Sequence, residues 1–322
     1  MKVKYDFPGA AIRLLAVTFS LLPFTFSLAA AEGLALSLGT ATPGGGFAVY
    51  GQAVSDVLRE VDPGIQLDLR GTKGSRENIP LLAAGKLDLA LVEGTIVQEI
   101  LDEGEAHFRV VAAMYSSPGM FVVRADSPFR RISDLKGQRV IFGAAGSGLT
   151  TLGGLVVDGV GLDMNKDFDA VLLESVKDGP PMVIDGRAAA LWGGGLGWPG
   201  FNGVARGPKG ARFIGPSEAE ISAILAKHGF LKRLVVPAGS FPGQPQAVPT
   251  VGTWSFILSR PDLPDDAARR FASALHRAQP ALGRKLPQAV ETTRENTLAS
   301  LPTPGLLHPG VARYLQEAGL LK

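Results

Sequence analysis

The sequence predicts an α/β fold of two lobes, each a mostly parallel sheet flanked by helices, with two crossover strands between them. Three observations predict it. Near Leu34 an apolar strand runs straight into a glycine-rich turn and then a helix; that unit recurs at once; and it restarts at Arg139 after a pair of apolar strands. Alternating strand and helix is what a parallel sheet requires, because each parallel connection must pass over the sheet face.

The elements follow in order. Residues 34–38 are an apolar run of strand length, and Gly39 to Gly46 form the first glycine turn. From Phe47 to Leu58 apolar residues recur at three- and four-residue spacing, which predicts a helix. Residues 65–69 alternate as a half-buried strand, a second glycine turn covers 71–75, and a helix over 76–84 stops at Gly85. A third strand over 87–92 ends at Glu93, and a helix follows to about Leu101. Strands over 110–114 and 120–123 are expected to bridge the lobes. The second lobe repeats the opening with a strand at 139–142, a glycine turn at 143–148 and a helix over 150–158. Residues 188–192 predict a strand running into Gly193, Gly194 and Gly195, 253–258 a late strand, and 265–279 a helix through Ala268, Phe271, Ala272 and Leu275. The Pro- and Gly-rich segment 236–250 reads as loop, and 286–309 has no clear pattern.

The first residues are set apart from this fold. Lys2, Lys4 and Arg13 precede an apolar run from Leu14 to Leu28, and small residues at Ala29, Ala30 and Ala31 supply a cleavage site, so residues 1–31 read as an export signal. The run is interrupted by Thr18, Ser20, Pro23, Thr25 and Ser27, which argues against a membrane anchor of about 20 apolar residues. Removing it takes away three cations and Asp6 and leaves a neutral chain. A neutral chain without a basic stripe excludes the phosphate contacts of a nucleic-acid binder. The chain has 322 residues and no cysteine, so disulfides, thiolate metal sites, a cysteine nucleophile and a lipidated cysteine are all excluded.

Four glycine turns, 39–46, 71–75, 143–148 and 193–197, fall at strand ends. Ligands of open parallel sheets bind beyond those ends, where helix N-termini offer unpaired N–H groups and glycine allows close approach. The alternative is that they are turns and nothing else. Other chemistries fail on the residues. No turn carries the Lys-Ser or Lys-Thr of a phosphate-binding loop, Thr151 stands where a dinucleotide fingerprint needs its third glycine, and Ser147 lacks the flanking glycines of a nucleophile elbow. His107, His228, His276 and His308 are scattered without metal-ligand spacing. No catalytic set, cofactor or metal is expected.

The order of motifs resembles the TAXI-type solute-binding proteins of TRAP transporters, over essentially the whole chain after residue 31. The resemblance is carried by Gly39-Thr40 with Gly44-Gly45-Gly46-Phe47, by Gly74-Ser75 with Asn78, Leu81-Leu82 and Gly85-Lys86-Leu87-Asp88, and by Val122 through Ser127. Further along it includes Asp134-Leu135-Lys136-Gly137, Gly146-Ser147-Gly148, Pro237 through Gln244, Val248 through Gly252, and His308 through Tyr314. It implies a type II-like periplasmic-binding-protein fold, with lobe 1 formed by 32–117 plus 254–322 and lobe 2 by 118–253. It further implies a monomer of the periplasm, not an enzyme, that captures a small carboxylate or amino acid by lobe closure and delivers it to a TRAP permease. A ligand-binding protein of an ABC-type importer or sensor system is the alternative, and an exported enzyme on the same scaffold a more distant one. Carried over by position, the first-lobe pocket involves Thr40, Ala41, Thr42, Gly45, Gly46, Phe47, Lys73, Gly74, Ser75, Asn78 and Glu93, with Tyr115 at the crossover. The second lobe contributes Gly146, Ser147, Gly148, Trp192, Gly194 and Gly195.

The chain departs from that family at Phe47-Ala48, where two aromatics are common, and at Lys73, Glu93 and Leu149, where glycine, glutamine and threonine are usual. Lys73 and Glu93 either line the cleft, pair with each other or face solvent. Trp192 and Trp198 either meet the solute or are ordinary core aromatics.

Overall fold

The computed structural model describes residues 1–4, 6, 33–104 and 106–322. Apart from the first few residues, the export signal expected over 1–31 lies outside them. The body from Gly33 onward opens with β1 (Leu34–Gly39), α1 (Gly46–Val61), β2 (Ile65–Arg70), α2 (Ser75–Ala83), β3 (Leu89–Glu93) and α3 (Gly94–Asp102). A 16-residue strand, β4 (Arg109–Arg124), leads to β5 (Arg139–Ala144), α4 (Gly148–Gly159), β6 (Asp169–Leu173), α5 (Gly179–Ile184), β7 (Ala190–Gly194) and α6 (Pro199–Ala205). The chain continues through β8 (Ala211–Ile214), α7 (Glu218–Lys227), β9 (Lys232–Val236), β10 (Val248–Ser259), α8 (Asp265–Lys285), α9 (Arg294–Ala299) and α10 (Pro309–Glu317).

The strand order is β2-β1-β3-β10-β4-β7-β5-β6, with β8 added on β4 and β9 on β10. Pairings of β1 with β2 and β3, and of β5 with β6 and β7, are parallel, while β4 and β10 run antiparallel to their neighbours. Those two strands cross between halves. The first part of β4 pairs with β10, up to Pro118 opposite Gly252, and its second part pairs with β7 and β8 from Gly119 on. The fold is therefore the two-lobed periplasmic-binding-protein architecture that the sequence predicts.

The crossovers themselves differ from the sequence reading. The two strands expected at 110–114 and 120–123 are one continuous strand, and 248–250 belong to β10 and not to a loop. Proline and glycine read as breaks in sequence, but a strand tolerates a missing N–H where it changes partners, which is where Pro118 and Gly119 stand. Gly252 is needed there for another reason: a Cβ would lie 2.1 Å from the Ser117 carbonyl oxygen. The unpatterned 286–309 stretch holds α9 between short 3₁₀ turns.

Each half has apolar side chains on both sheet faces, which is why its central strands read as unbroken hydrophobic runs. In the first half, Leu38, Tyr50, Val54, Leu58, Phe271 and Leu275 pack β1 against α1 and α8, while Leu82, Val92, Val97 and Phe256 fill the face under α2 and α3. In the second half, alternate residues of β4 point oppositely, as a strand's period of two dictates. Phe121 and Val123 join Phe142, Leu152 and Trp192, whereas Met120 and Val122 join Trp198 and Phe201. The turns between strand and helix are thus held by four packed faces and meet at the strand ends.

Candidate functional site

The glycine turns converge on one cavity of about 50 Å³ between the halves. From the first half it is walled by Ala41, Thr42, Gly45, Gly46 and Phe47 around the start of α1, by Lys73, Gly74 and Ser75 before α2, and by Glu93 and Tyr115 at strand ends. The second half supplies Ser147 and Gly148 at the start of α4, with Trp192 and Gly194 of β7. Sequence reasoning did not place Ser117, Phe142, Gly143, Ala144, Val176 and Ser255 there, although each lines it; Leu149 and Trp198 line it as well. Gly143 and Ala144 stand in the third glycine turn, whose position was the one available signal. Ser117 and Ser255 lie on the crossovers, and their hydroxyls bond to each other at 3.1 Å, a juxtaposition of residues far apart in the chain.

Four expected residues do not line the cavity. Asn78 is buried behind the wall, where its Nδ2 donates to the Thr40 and Leu91 carbonyls at 2.9 and 2.8 Å and its Oδ1 accepts from the Thr72 hydroxyl at 2.9 Å. Thr40 is likewise buried and donates through Oγ1 to the Arg70 carbonyl. Both brace the turns in place. Gly146, at φ +79°, offers its carbonyl to the Arg76 N–H at 3.3 Å, and Gly195, at φ +91°, sits against Gln288 and Tyr115.

Glu93 is the N-cap of α3. Its carboxylate accepts from the Thr95 N–H at 2.8 Å and from the hydroxyls of Thr95 and Thr253. It forms no ion pair with Lys73 among the described residues; the exposed Lys73 instead donates its backbone N–H to Glu77. Burial raises the Glu93 carboxyl from its ordinary 4.5 to about 7, against the opposing pull of the Thr253 and Thr95 bonds. Burial likewise pushes the Tyr115 phenol well above its ordinary value.

Two helices reach the cavity with bare N-termini. α1 starts after Gly45 and α4 after Ser147; neither has a side-chain cap or an acidic residue in its first turn. Their positive ends are therefore free to meet an acceptor. The tryptophans also separate. Trp192 packs on Phe121 at 4.8 Å and spends its indole N–H on the Leu149 carbonyl at 2.7 Å. Trp198 lines the same cavity with its indole nitrogen buried and unbonded. None of the four histidines lines the cavity.

The halves touch through long hydrogen bonds. Arg76 reaches the Gly146 carbonyl and the Thr151 hydroxyl, Thr95 the Gly148 carbonyl, and Ser175 the Pro43 carbonyl, each at 3.3 Å. Gly148 also lies hard against the first half: a Cβ there would stand 2.4 Å from the Glu93 Cβ.

Among solved structures, the chain is similar to a protein of Bordetella bronchiseptica RB50, at 12% identity over 89% of this chain and 99% of that one, with a TM-score of 0.58. It is also similar to a mutant OxyR of Corynebacterium glutamicum, at 14% identity over 82% of this chain and 71% of that one, with a TM-score of 0.51. A further likeness, at 18% identity over 88% and 84% with TM-score 0.45, is to the periplasmic aliphatic sulphonate binding protein SsuA from Escherichia coli. Such distant likenesses concern the fold alone, which serves more than one function. Residues 38–319 match the NMT1-like family, from the end of β1 to beyond α10, and on the strength of that span the chain belongs to the NMT1-like family.

Proposed function

We propose that the protein is an exported solute-binding protein of a membrane transporter, and that a small organic acid or amino acid binds in the cavity between the halves. The observation that carries this reading is the convergence of bare helix N-termini from both halves, α1 and α4, on one cavity. That space is walled by residues of both halves, so a solute that fills it is touched by both. Contacts of 3.3 Å across the gap are weak enough to break. A solute bound first to one half shifts the population toward closure by adding contacts that only the closed form completes. Residues 32–117 with 254–322 and residues 118–253 would move as the two bodies, flexing where β4 and β10 cross.

The order of sequence motifs supports a TRAP-type permease as the partner. The match to the NMT1-like family names no transporter type, and an ABC-type importer is the second reading. Native mass spectrometry of protein purified from its own host, paired with X-ray solution scattering, tests the proposal. A co-purified small organic acid or amino acid whose removal expands the particle is expected; no bound solute and no change in dimensions across a panel of such acids would refute it. Deletion of a neighbouring permease gene, followed by uptake of the identified solute, decides between the two transporter types.

A further inference from the structure

We propose that the indole N–H of Trp198 and the bare N-terminus of α1 together form an oxyanion subsite that holds the carboxylate or sulfonate head group of the solute. This rests on the solute-binding reading above and deepens it. Trp198 is 4% exposed. Its six-membered ring occupies the space that side chains at Gly193 and Gly200 would need, with Cβ atoms at those positions falling 2.2 and 2.3 Å from ring carbons. It also packs edge-on against Phe201 at 4.9 Å. This wedge fixes the plane of the ring and leaves the pyrrole edge directed at α1, where a Cβ on Gly46 would lie 3.4 Å from Cδ1 and 3.6 Å from Nε1.

The Nε1–H so directed has no acceptor, and a buried donor left unpaired is expensive. Trp192, whose ring is equally buried, satisfies its own N–H on a carbonyl, so the unpaired donor of Trp198 is not a consequence of burial as such. The same ground borders Gly46 in the first turn of α1, a turn that no side chain caps and no acidic residue neutralises. The Tyr115 hydroxyl oxygen stands 3.3 Å from the Gly46 Cβ position. An ammonium has nothing to accept with, and a neutral carbonyl carries no charge to meet the helix end; an oxyanion does both. Glu93, the acidic side chain lining the cavity, has both oxygens engaged by Thr95 and Thr253 and does not compete for these donors.

The test uses the full chain labelled with ¹⁵N, in which three indole resonances are expected, and the one lost in Trp198→Phe identifies Trp198. Probes are L-glutamate and succinate as carboxylates, taurine as a sulfonate, the diamide of succinate and glucose as neutral solutes, and putrescine as a cation. We expect a carboxylate or sulfonate probe to move the Trp198 indole resonance, to bind Trp198→Phe at least tenfold more weakly, and to lose measurable binding to Gly46→Ala. The Gly46→Ala change adds only a methyl on a helical residue in front of the N–H, so it decides the matter if Trp198→Phe fails to fold. Binding of an oxyanion with the Trp198 resonance unmoved and both variants unaffected would overturn the subsite. Binding of only neutral or cationic probes would overturn it while leaving the solute-binding reading intact, and binding by no probe would count against both.

Discussion

Changing Glu93 to Gln should remove a pH dependence that the wild-type chain carries. The carboxyl is raised from 4.5 to about 7 because it is buried. At ~1.4 kcal/mol for each pH unit, that step is worth about 3 kcal/mol, a sizeable share of the ~5–15 kcal/mol by which domains are stable. The direction follows from proton counting. Below pH 4.5 the group is protonated in both the folded and unfolded chain, so its contribution is fully present. Between 4.5 and about 7 the unfolded chain gives up the proton and the folded one keeps it, so stability falls as pH rises; above 7 the loss is complete and constant. Glutamine is neutral throughout and keeps the shape, with its carbonyl able to accept from the Thr95 N–H and its amide able to donate to the Thr253 hydroxyl. Urea unfolding followed by tryptophan fluorescence, at several pH values from 4.5 to 8, measures the difference. The variant should match wild type at the acid end and exceed it by about 3 kcal/mol near pH 8. Parallel curves for the two proteins across that range would refute the argument that burial governs this carboxyl.

Two further outcomes are expected. Gly148→Ala places a methyl 2.4 Å from the Glu93 Cβ and 3.1 Å from the Ser75 Oγ; an overpacking penalty of ~1–3 kcal/mol there weakens solute binding by roughly 5- to 150-fold. Calorimetry with the identified solute checks this, and unchanged affinity would show that closure does not bring Gly148 onto Glu93. At Asp88 burial raises the carboxyl, but bonds from the Ser37 N–H at 2.9 Å, the Ser37 hydroxyl at 2.8 Å and Arg260 at 3.1 Å outweigh it and hold the group below its ordinary 3.8. Its stabilisation is therefore present above pH 3.8 and lost as pH falls through the lowered value, so the stability gap between wild type and Asp88→Asn should narrow under acid. A gap that stays constant down to acid unfolding would contradict the role of these bonds.

Local pattern carried most of the architecture. The run 34–38 and the spacing of Tyr50, Val54 and Leu58 are readable because a strand or helix buries residues at its own period, and that period is a property of neighbouring residues. The glycine turns were legible for the same reason, since Gly74, Gly143 and Gly146 are needed for backbone with positive φ where strands pass into helices. Tertiary structure alone decided the rest. It made one strand of 109–124 across Pro118, drew Thr253 onto Glu93, set Ser117 against Ser255, and moved Thr40 and Asn78 from the cavity wall into its bracing. It also satisfied the N–H of Trp192 and left that of Trp198 open. Hydrogen bonds between residues distant in the chain depend on where separate elements meet and which way each side chain is turned, and neither leaves a trace in local periodicity.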